Sequence, residues 1–280
     1  MSDLPQTPAR PPALKALILA AGRGQRMRPL TDHTPKPLLP VAGRPMIEWH
    51  LLALAAAGVR EVVVNTAWLE DQFPAALGDG SRFGLAIHYS MEGRDHGGAL
   101  ETAGGIAKAL PLLGDCFWLV SGDIVAPGFA FDATQARRFA AGTDDAHLWL
   151  VPNPDFHAAG DFALAGHRVL RPAANQPRPL TYANLALVRA RLVAGLVPGQ
   201  RAALGPRLFA SAAAGRLAGE LWAGDWHNLG TPAQLQSLQG LQGLQGLQSL
   251  QNLHSLAGRS SLTHGDRLRG VNVHPIESPP

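Results

Sequence analysis

The stretch that most constrains this chain runs from Ala16 to Met46. It opens with an apolar run, Ala16-Leu17-Ile18-Leu19-Ala20, whose length suits a buried strand better than a helix. The run breaks into Ala21-Gly22-Arg23-Gly24-Gln25-Arg26-Met27-Arg28. Two glycines one residue apart let the backbone turn tightly with no Cβ in the way of an approaching group. Successive N–H groups in such a turn form a concave nest for anions, and the three arginines supply charge around it. Thr34-Pro35-Lys36-Pro37 follows, a cation held between two prolines that remove backbone freedom. Of 24 basic residues, only Lys15, Lys36 and Lys108 are lysines. A lysine kept in so arginine-rich a chain points to a need for a compact ammonium. Together these features describe a phosphate site. The dinucleotide fingerprint is excluded because its third glycine would fall on Met27, and no Gly-Lys-Ser/Thr follows to make a P-loop. An ordinary turn and an exposed lysine in a proline-rich loop are the competing readings.

From residue 14 onward, strand and helix patterns alternate. Strands are expected at residues 61–65, 85–89, 116–120 and 147–151. Helices are expected from Pro45 to Gly58, over 69–77 and 104–110, and after Thr231-Pro232. Such alternation implies a mainly parallel sheet, with ligands bound beyond the carboxyl ends of its strands. The glycine turn, Asn65 and Asp123 all follow strand ends, so they can converge on one crevice. Asp123, just past an apolar strand, suits Mg²⁺, which takes oxygen ligands and keeps substrate phosphates among them. A simple turn aspartate is the alternative.

The 280 residues, 46% hydrophobic and 16% charged, suffice for a large α/β core. The net charge of +3 comes from scattered arginines, which argues against a nucleic-acid groove and for local anion sites. The single cysteine, Cys116, rules out an internal disulfide and fits a reducing compartment. Its apolar surroundings mark a packed thiol. The longest nearly apolar run, residues 51–59, is far short of a membrane span, and residues 1–13 lack the apolar core of a secretory signal. A cytoplasmic protein with small-molecule partners is expected, without nucleic acid, membrane or obligate protein partner. Residues 1–13 read as an extension, 14–238 as the catalytic domain and 239–280 as a low-complexity tail. In the tail, leucine recurs every three residues, matching neither 3.6 nor 3.5, and 258–280 read as disordered.

The run LAAGRGQRMRPLTDHTPKPLLPVAGRPMIEWHL resembles the signature of the sugar-1-phosphate nucleotidyltransferases. Within them it most resembles the bacterial N-acetylmuramate-1-phosphate uridylyltransferases. The resemblance implies a Rossmann-like α/β fold of the nucleotide-diphospho-sugar transferase type, and a reaction joining UTP or another nucleoside triphosphate to a sugar-1-phosphate. In its terms Ala20, Ala21, Gly22 and Gly24 hold the triphosphate. Arg26 meets the departing pyrophosphate, and Lys36 bridges phosphates at the reacting centre. Asp123 binds Mg²⁺. The turn before residues 104–110, with Glu101 and Thr102, reads the base. Glu92 joins it from a linker, residues 91–99, that is longer than the family's. Asn153, Asp161 and Asn184 fall on the sugar side, with Asn184 where the family has a serine-glycine pair. Gly224-Asp225-Trp226-His227-Asn228-Leu229-Gly230-Thr231 resembles the closing motif and sets Asn228 in place of its second metal-binding aspartate. Asn228 offers Mg²⁺ one neutral carbonyl oxygen, so either one carboxylate plus an amide suffices or activity is reduced. Asp225 is a poor substitute, because residues three apart on an extended segment face opposite sides. Thymidylyl-, guanylyl- or cytidylyl-transfer and a silent nucleotide-binding module are the other readings.

Overall fold

Ala16, Leu17 and Ile18 have no exposed surface, and alternate residues enter different cores. A strand covered on both faces has no polar side to show, hence the unbroken apolar run. The computed structural model describes residues 14–173 and 175–240. The main sheet has nine strands: β1 (Lys15–Leu19), β2 (Glu61–Thr66), β3 (Ala86–Met91), β4 (Cys116–Ser121), β5 (Ala146–Pro152), β6 (Ala163–Ala165), β7 (Arg168–Leu170), β8 (Leu180–Arg189) and β9 (Leu217–Leu221). Their order is β3-β2-β1-β4-β8-β5-β9-β7-β6. β1 is parallel to β2 and β4, β2 to β3, and β5 to β9. β8 lies antiparallel between β4 and β5, and β7 antiparallel between β9 and β6. All strands but β7 and β8 therefore run one way, giving the expected mainly parallel sheet.

Helices cover both faces. α1 (Met46–Ala56), α2 (Gln72–Leu77) and α5 (Ala133–Ala141) send Leu51, Phe73 and Phe139 onto the face of Ile18, Val64 and Val120. α4 (Glu101–Ala109) and α6 (Gly205–Ala213) send Ile106 and Leu208 onto the face of Leu17, Val63 and Leu119. α3 (Glu92–His96) lies between β3 and α4, and α7 (Pro232–Gly240) follows the closing motif. A third cluster joins Met27, Leu39, Met46 and Trp49 to Val125, Leu229, Leu235 and Leu238. It ties the signature loop to the closing arm and α7 by apolar burial, at ~1.5–3 kcal/mol for each large side chain.

Several boundaries differ from the sequence pattern. Pro45 caps α1 from outside, because it pairs with Pro40 in a short hairpin. Leu69 has φ +48, so α2 begins only at Gln72. α4 starts at Glu101, three positions before the expected Gly104. The 91–99 linker contains α3, whose Gly93 and Arg94 N–H groups donate to the Glu70 carboxylate at 3.0 and 2.6 Å. That acceptor lies 23 and 24 residues away, so no local pattern announces it. β6, β7, β9, α5 and α6 have no counterpart in the sequence expectations. Residues 1–13 and the repeat and tail from 241 onward lie outside the described residues.

His50, on α1, is buried and its Nε2–H donates to the Ile124 carbonyl at 2.9 Å. Burial pushes its imidazole from the ordinary 6.5 down to about 4. The unfolded chain takes up a proton near pH 6.5 that the folded state refuses until about pH 4, so stability falls as pH drops through that window. Each pH unit there costs at most ~1.4 kcal/mol. Thermal melting across this range should show a steeper loss for the natural protein than for His50→Gln; equal slopes would remove His50 as the cause.

Candidate active site

Past Leu19 the chain turns through Ala20, Ala21 and Gly22 to Gly24. The turn is anchored where the Ala20 N–H meets the Asn65 carbonyl at 3.1 Å and Asn65 Oδ1 at 2.7 Å. Gly24 has φ +66, and a Cβ there would sit 3.0 Å from Thr31 Cγ2 and 3.3 Å from Lys36 Cβ. Gly22 is different. A Cβ there would meet nothing within 4 Å, because that side opens into the cleft.

The three arginines divide, which corrects the expectation that all supply charge to the turn. Arg23 donates to the Thr31 carbonyl at 2.8 Å and lies 3.4 Å from the centre of the Trp68 ring. Arg28 Nε donates to Asp32 Oδ1 at 2.7 Å. Those contacts brace the 23–32 loop. Arg26 lines the cleft and has no hydrogen bond or ion pair among the described residues.

Lys36 begins a single turn, Lys36–Leu38, between its two prolines. It is 8% exposed, and its Nζ donates to Asp123 Oδ2 at 2.8 Å. Asp123 arrives from β4 through Gly122, whose N–H donates to the Leu19 carbonyl at 2.8 Å. Residues 87 apart in sequence thus meet at the exit of β1. The cleft they line, about 550 Å³, also takes in the glycine turn, Arg26, Glu101 and Thr102.

The turn before α4 carries strain, since Glu101 adopts φ +61 at the helix's first position. Its carboxylate lies 3.4 Å from Arg201, a cleft residue on the loop after β8 that no sequence motif marks. The N–H groups of Ala103 and Gly104, which lack intrahelical partners in the first turn of a helix, donate to the Ala202 carbonyl at 2.9 and 3.1 Å. Glu92 does not line the cleft. It is fully buried behind it, accepting from Asn65 Nδ2 at 2.7 Å and the Leu100 N–H at 2.8 Å. Burial raises its carboxyl above the usual carboxylate range.

A second cavity of about 460 Å³ shares Leu19, Glu101, Thr102 and Ser121 with the first. Asp161 and Asn184 line it, beside Tyr182 and Phe209. Asp161 is held by His157 Nε2 at 3.0 Å and the Tyr182 N–H at 3.0 Å. Asn184 has φ +60, where the pairing of β8 with β5 shifts register. Asparagine tolerates that left-handed geometry, which explains how it replaces a pair containing glycine. Asn153 lines neither cavity. Its Nδ2 donates to the carbonyls of Ala158 and Arg178 and its Oδ1 accepts from Thr181, so it holds the loop that carries Asp161.

Asn228 pairs with Ile124 in the ladder His227–Asn228/Ile124–Val125, and the Leu229 N–H donates to the Asp123 carbonyl at 3.0 Å. The closing arm therefore runs beside Asp123; Asp225 is exposed, Asn228 is half-buried, and neither side chain is part of the cleft wall. One carboxylate and one amide carbonyl are both oxygen donors, the kind Mg²⁺ takes when phosphates and water complete its shell. Among the described residues, no three His, Cys, Asp or Glu side chains gather as a metal cage.

The profile of the family described as Nucleotidyl transferase matches residues 15–155. This chain belongs to that family. It is 46% identical to the N-acetylmuramate alpha-1-phosphate uridylyltransferase of Neisseria meningitidis serogroup B, over 80% of this chain and 96% of that protein. It is 34% identical to the Caulobacter vibrioides protein of the same name, over 78% of this chain and 92% of that one. The glucose-1-phosphate thymidylyltransferase of Streptomyces griseus shares 36% identity, over 55% of this chain and 42% of its own length. A Bacillus anthracis crystal structure assigned as a glucose-1-phosphate thymidylyltransferase, solved with sucrose, has the same fold. Its TM-score is 0.69 at 22% identity, covering 82% of this chain and 95% of that one. No described helix is long and apolar enough to cross a membrane.

The two turn glycines give opposed predictions. Gly24→Ala forces a left-handed residue against Thr31 and Lys36 and should lower stability by roughly 1–2 kcal/mol. Gly22→Ala should leave the melting temperature unchanged and raise the KM for nucleoside triphosphate, since its methyl enters only the cleft. Melting curves and steady-state kinetics on both variants check the contrast.

Proposed function

We propose that this protein transfers a uridylyl group from UTP to N-acetylmuramate α-1-phosphate, releasing pyrophosphate, with Mg²⁺, in cell-wall sugar recycling. What carries the reading is the Lys36–Asp123 contact at 2.8 Å on the wall of the cleft, in a chain 46% identical to an enzyme of that name across 96% of its length. The sugar phosphate is itself the nucleophile. One of its oxygens bonds to the α-phosphorus in line as the bond to the β-phosphate bridge breaks, and pyrophosphate leaves with that electron pair. The chain has only to position the reactants and neutralise developing charge. Backbone amides of the glycine turn and Arg26 hold the leaving phosphates. Lys36, aimed by Asp123, brings an ammonium to the reacting phosphate. Asp123 and Asn228 are the residues that would hold Mg²⁺, which neutralises phosphate charge when bound. Glu101 and Thr102 face the base, and Asp161 and Asn184 face the sugar in the second cavity.

One observation favours a second reading. Asn228 brings no charge where the resembled family has an aspartate, which fits a nucleotide-binding module of low or no turnover.

Pyrophosphate release from a panel of triphosphates, each with muramate, glucose and mannose phosphates, tests the assignment; the UTP and N-acetylmuramate phosphate pair should stand highest. Lys36→Ala should lower kcat roughly 10²-fold, the loss of one charge stabiliser at ~3 kcal/mol. An unchanged kcat would take Lys36 out of the reaction. A large gain of activity in Asn228→Asp would support the second reading, and an equal or lower rate would support the first.

A further inference from the structure

We infer that Asn65 and Glu92 form a buried positioning strut that sets the distance between the triphosphate turn and the base turn. The inference rests on the nucleotide reading of the cleft and adds how its two halves are held in register. A single line of hydrogen bonds runs through it. The Ala20 N–H donates to Asn65 Oδ1 at 2.7 Å, Asn65 Nδ2 donates to Glu92 Oε1 at 2.7 Å, and the Leu100 N–H donates to Glu92 Oε2 at 2.8 Å. Ala20 opens the glycine turn, and Leu100 immediately precedes Glu101 and Thr102. Asn65 and Leu100 are each 2% exposed and Glu92 is 0% exposed, so water offers these groups no alternative partners.

The packing around the line is built to it. A Cβ at Gly105 would sit 2.6 Å from both Asn65 Nδ2 and Glu92 Oε1, so only glycine lets α4 approach the pair. Glu101, the next residue after the anchored Leu100, holds φ +61. A turn kept in a strained conformation needs its ends fixed, and Glu92 fixes one of them.

The order of donors and acceptors allows a swap. In Glu92→Gln one donor meets another whichever way the amides turn: at Asn65 Nδ2, at the Leu100 N–H or, with Asn65 flipped, at the Ala20 N–H. In Asn65→Asp two carboxyl groups face one another, and the pair can close only by taking up a proton that the natural pair does not need. In the double variant Asn65→Asp/Glu92→Gln, every bond can re-form. The carboxylate introduced at position 65 would accept from the Ala20 N–H and from the amide introduced at position 92. The oxygen of that amide would accept from the Leu100 N–H, with net charge unchanged.

The test is UTP affinity by calorimetry together with separate KM values for UTP and the sugar phosphate, alongside melting temperatures. Each single variant should weaken UTP binding roughly tenfold, with the KM for sugar phosphate within about twofold of the natural protein. The double variant should recover to within about threefold of it. If one single variant does not fold, the other and the double variant carry the comparison. Single variants that bind UTP normally, that shift both KM values alike, or a double variant no better than the worse single would each overturn the strut. Natural protein that binds no nucleotide would instead overturn the function on which it rests.

Discussion

The contact between Lys36 and Asp123 depends on nearly everything else in the molecule. An ammonium 8% exposed needs an anionic partner, and a carboxylate at a strand end needs a reason to stay put. The fold meets both needs by setting β1 and β4 side by side, with Leu19 in register with Ser121. Asp123 then emerges where the β1 turn begins. The proline-flanked turn at residues 35–37 returns Lys36 over that exit, and the Gly122 N–H locks the two strand ends together. Moving either strand by one residue would separate the charges.

Precision at this point comes from three packed clusters. Two cover the faces of the sheet, which holds β1, β2 and β4 rigid. The third joins Met27 and Leu39 of the signature loop to Val125 and Leu229 on either side of the Ile124/Asn228 ladder. Asp123 and Asn228 lie at the edge of that apolar plug. His50 reinforces the arrangement by holding the Ile124 carbonyl from α1. Loops carry the chemistry, but packed side chains decide where the loops stop.

Polar residues near the signature fall into two groups that sequence alone does not separate. Arg26, Lys36, Glu101, Thr102 and Asp123 face the cleft. Arg23, Arg28, Glu92 and Asn153 direct their polar atoms to other protein groups, namely Thr31, Asp32, Asn65, Leu100 and the carbonyls of Ala158 and Arg178. A functional group next to a motif can serve a ligand or brace the motif, and both roles require the same atom types. Which holds is set by the direction of a rotamer and by what lies across from it.

Local order was legible in the residues wherever one short stretch carried its own physical cause. Residues 16–20 are apolar throughout, and 16–19 lie in the doubly covered strand. Gly22 and Gly24 mark the turn, prolines stiffen Lys36, and Asp123 follows its strand. That much, with the mainly parallel α/β class, needed only period, propensity and turn chemistry. The tertiary structure alone decided the rest, because the causes lie far apart in the chain. Helix α3 depends on Glu70, the start of α4 on Ala202, and the cleft wall on Arg201, whose loop carries no pattern. The inward turn of Glu92 depends on Asn65 and Leu100. Sequence determines which groups are available and where the chain must bend; only the packed fold determines which distant groups meet, since those contacts form between residues with no local influence on one another.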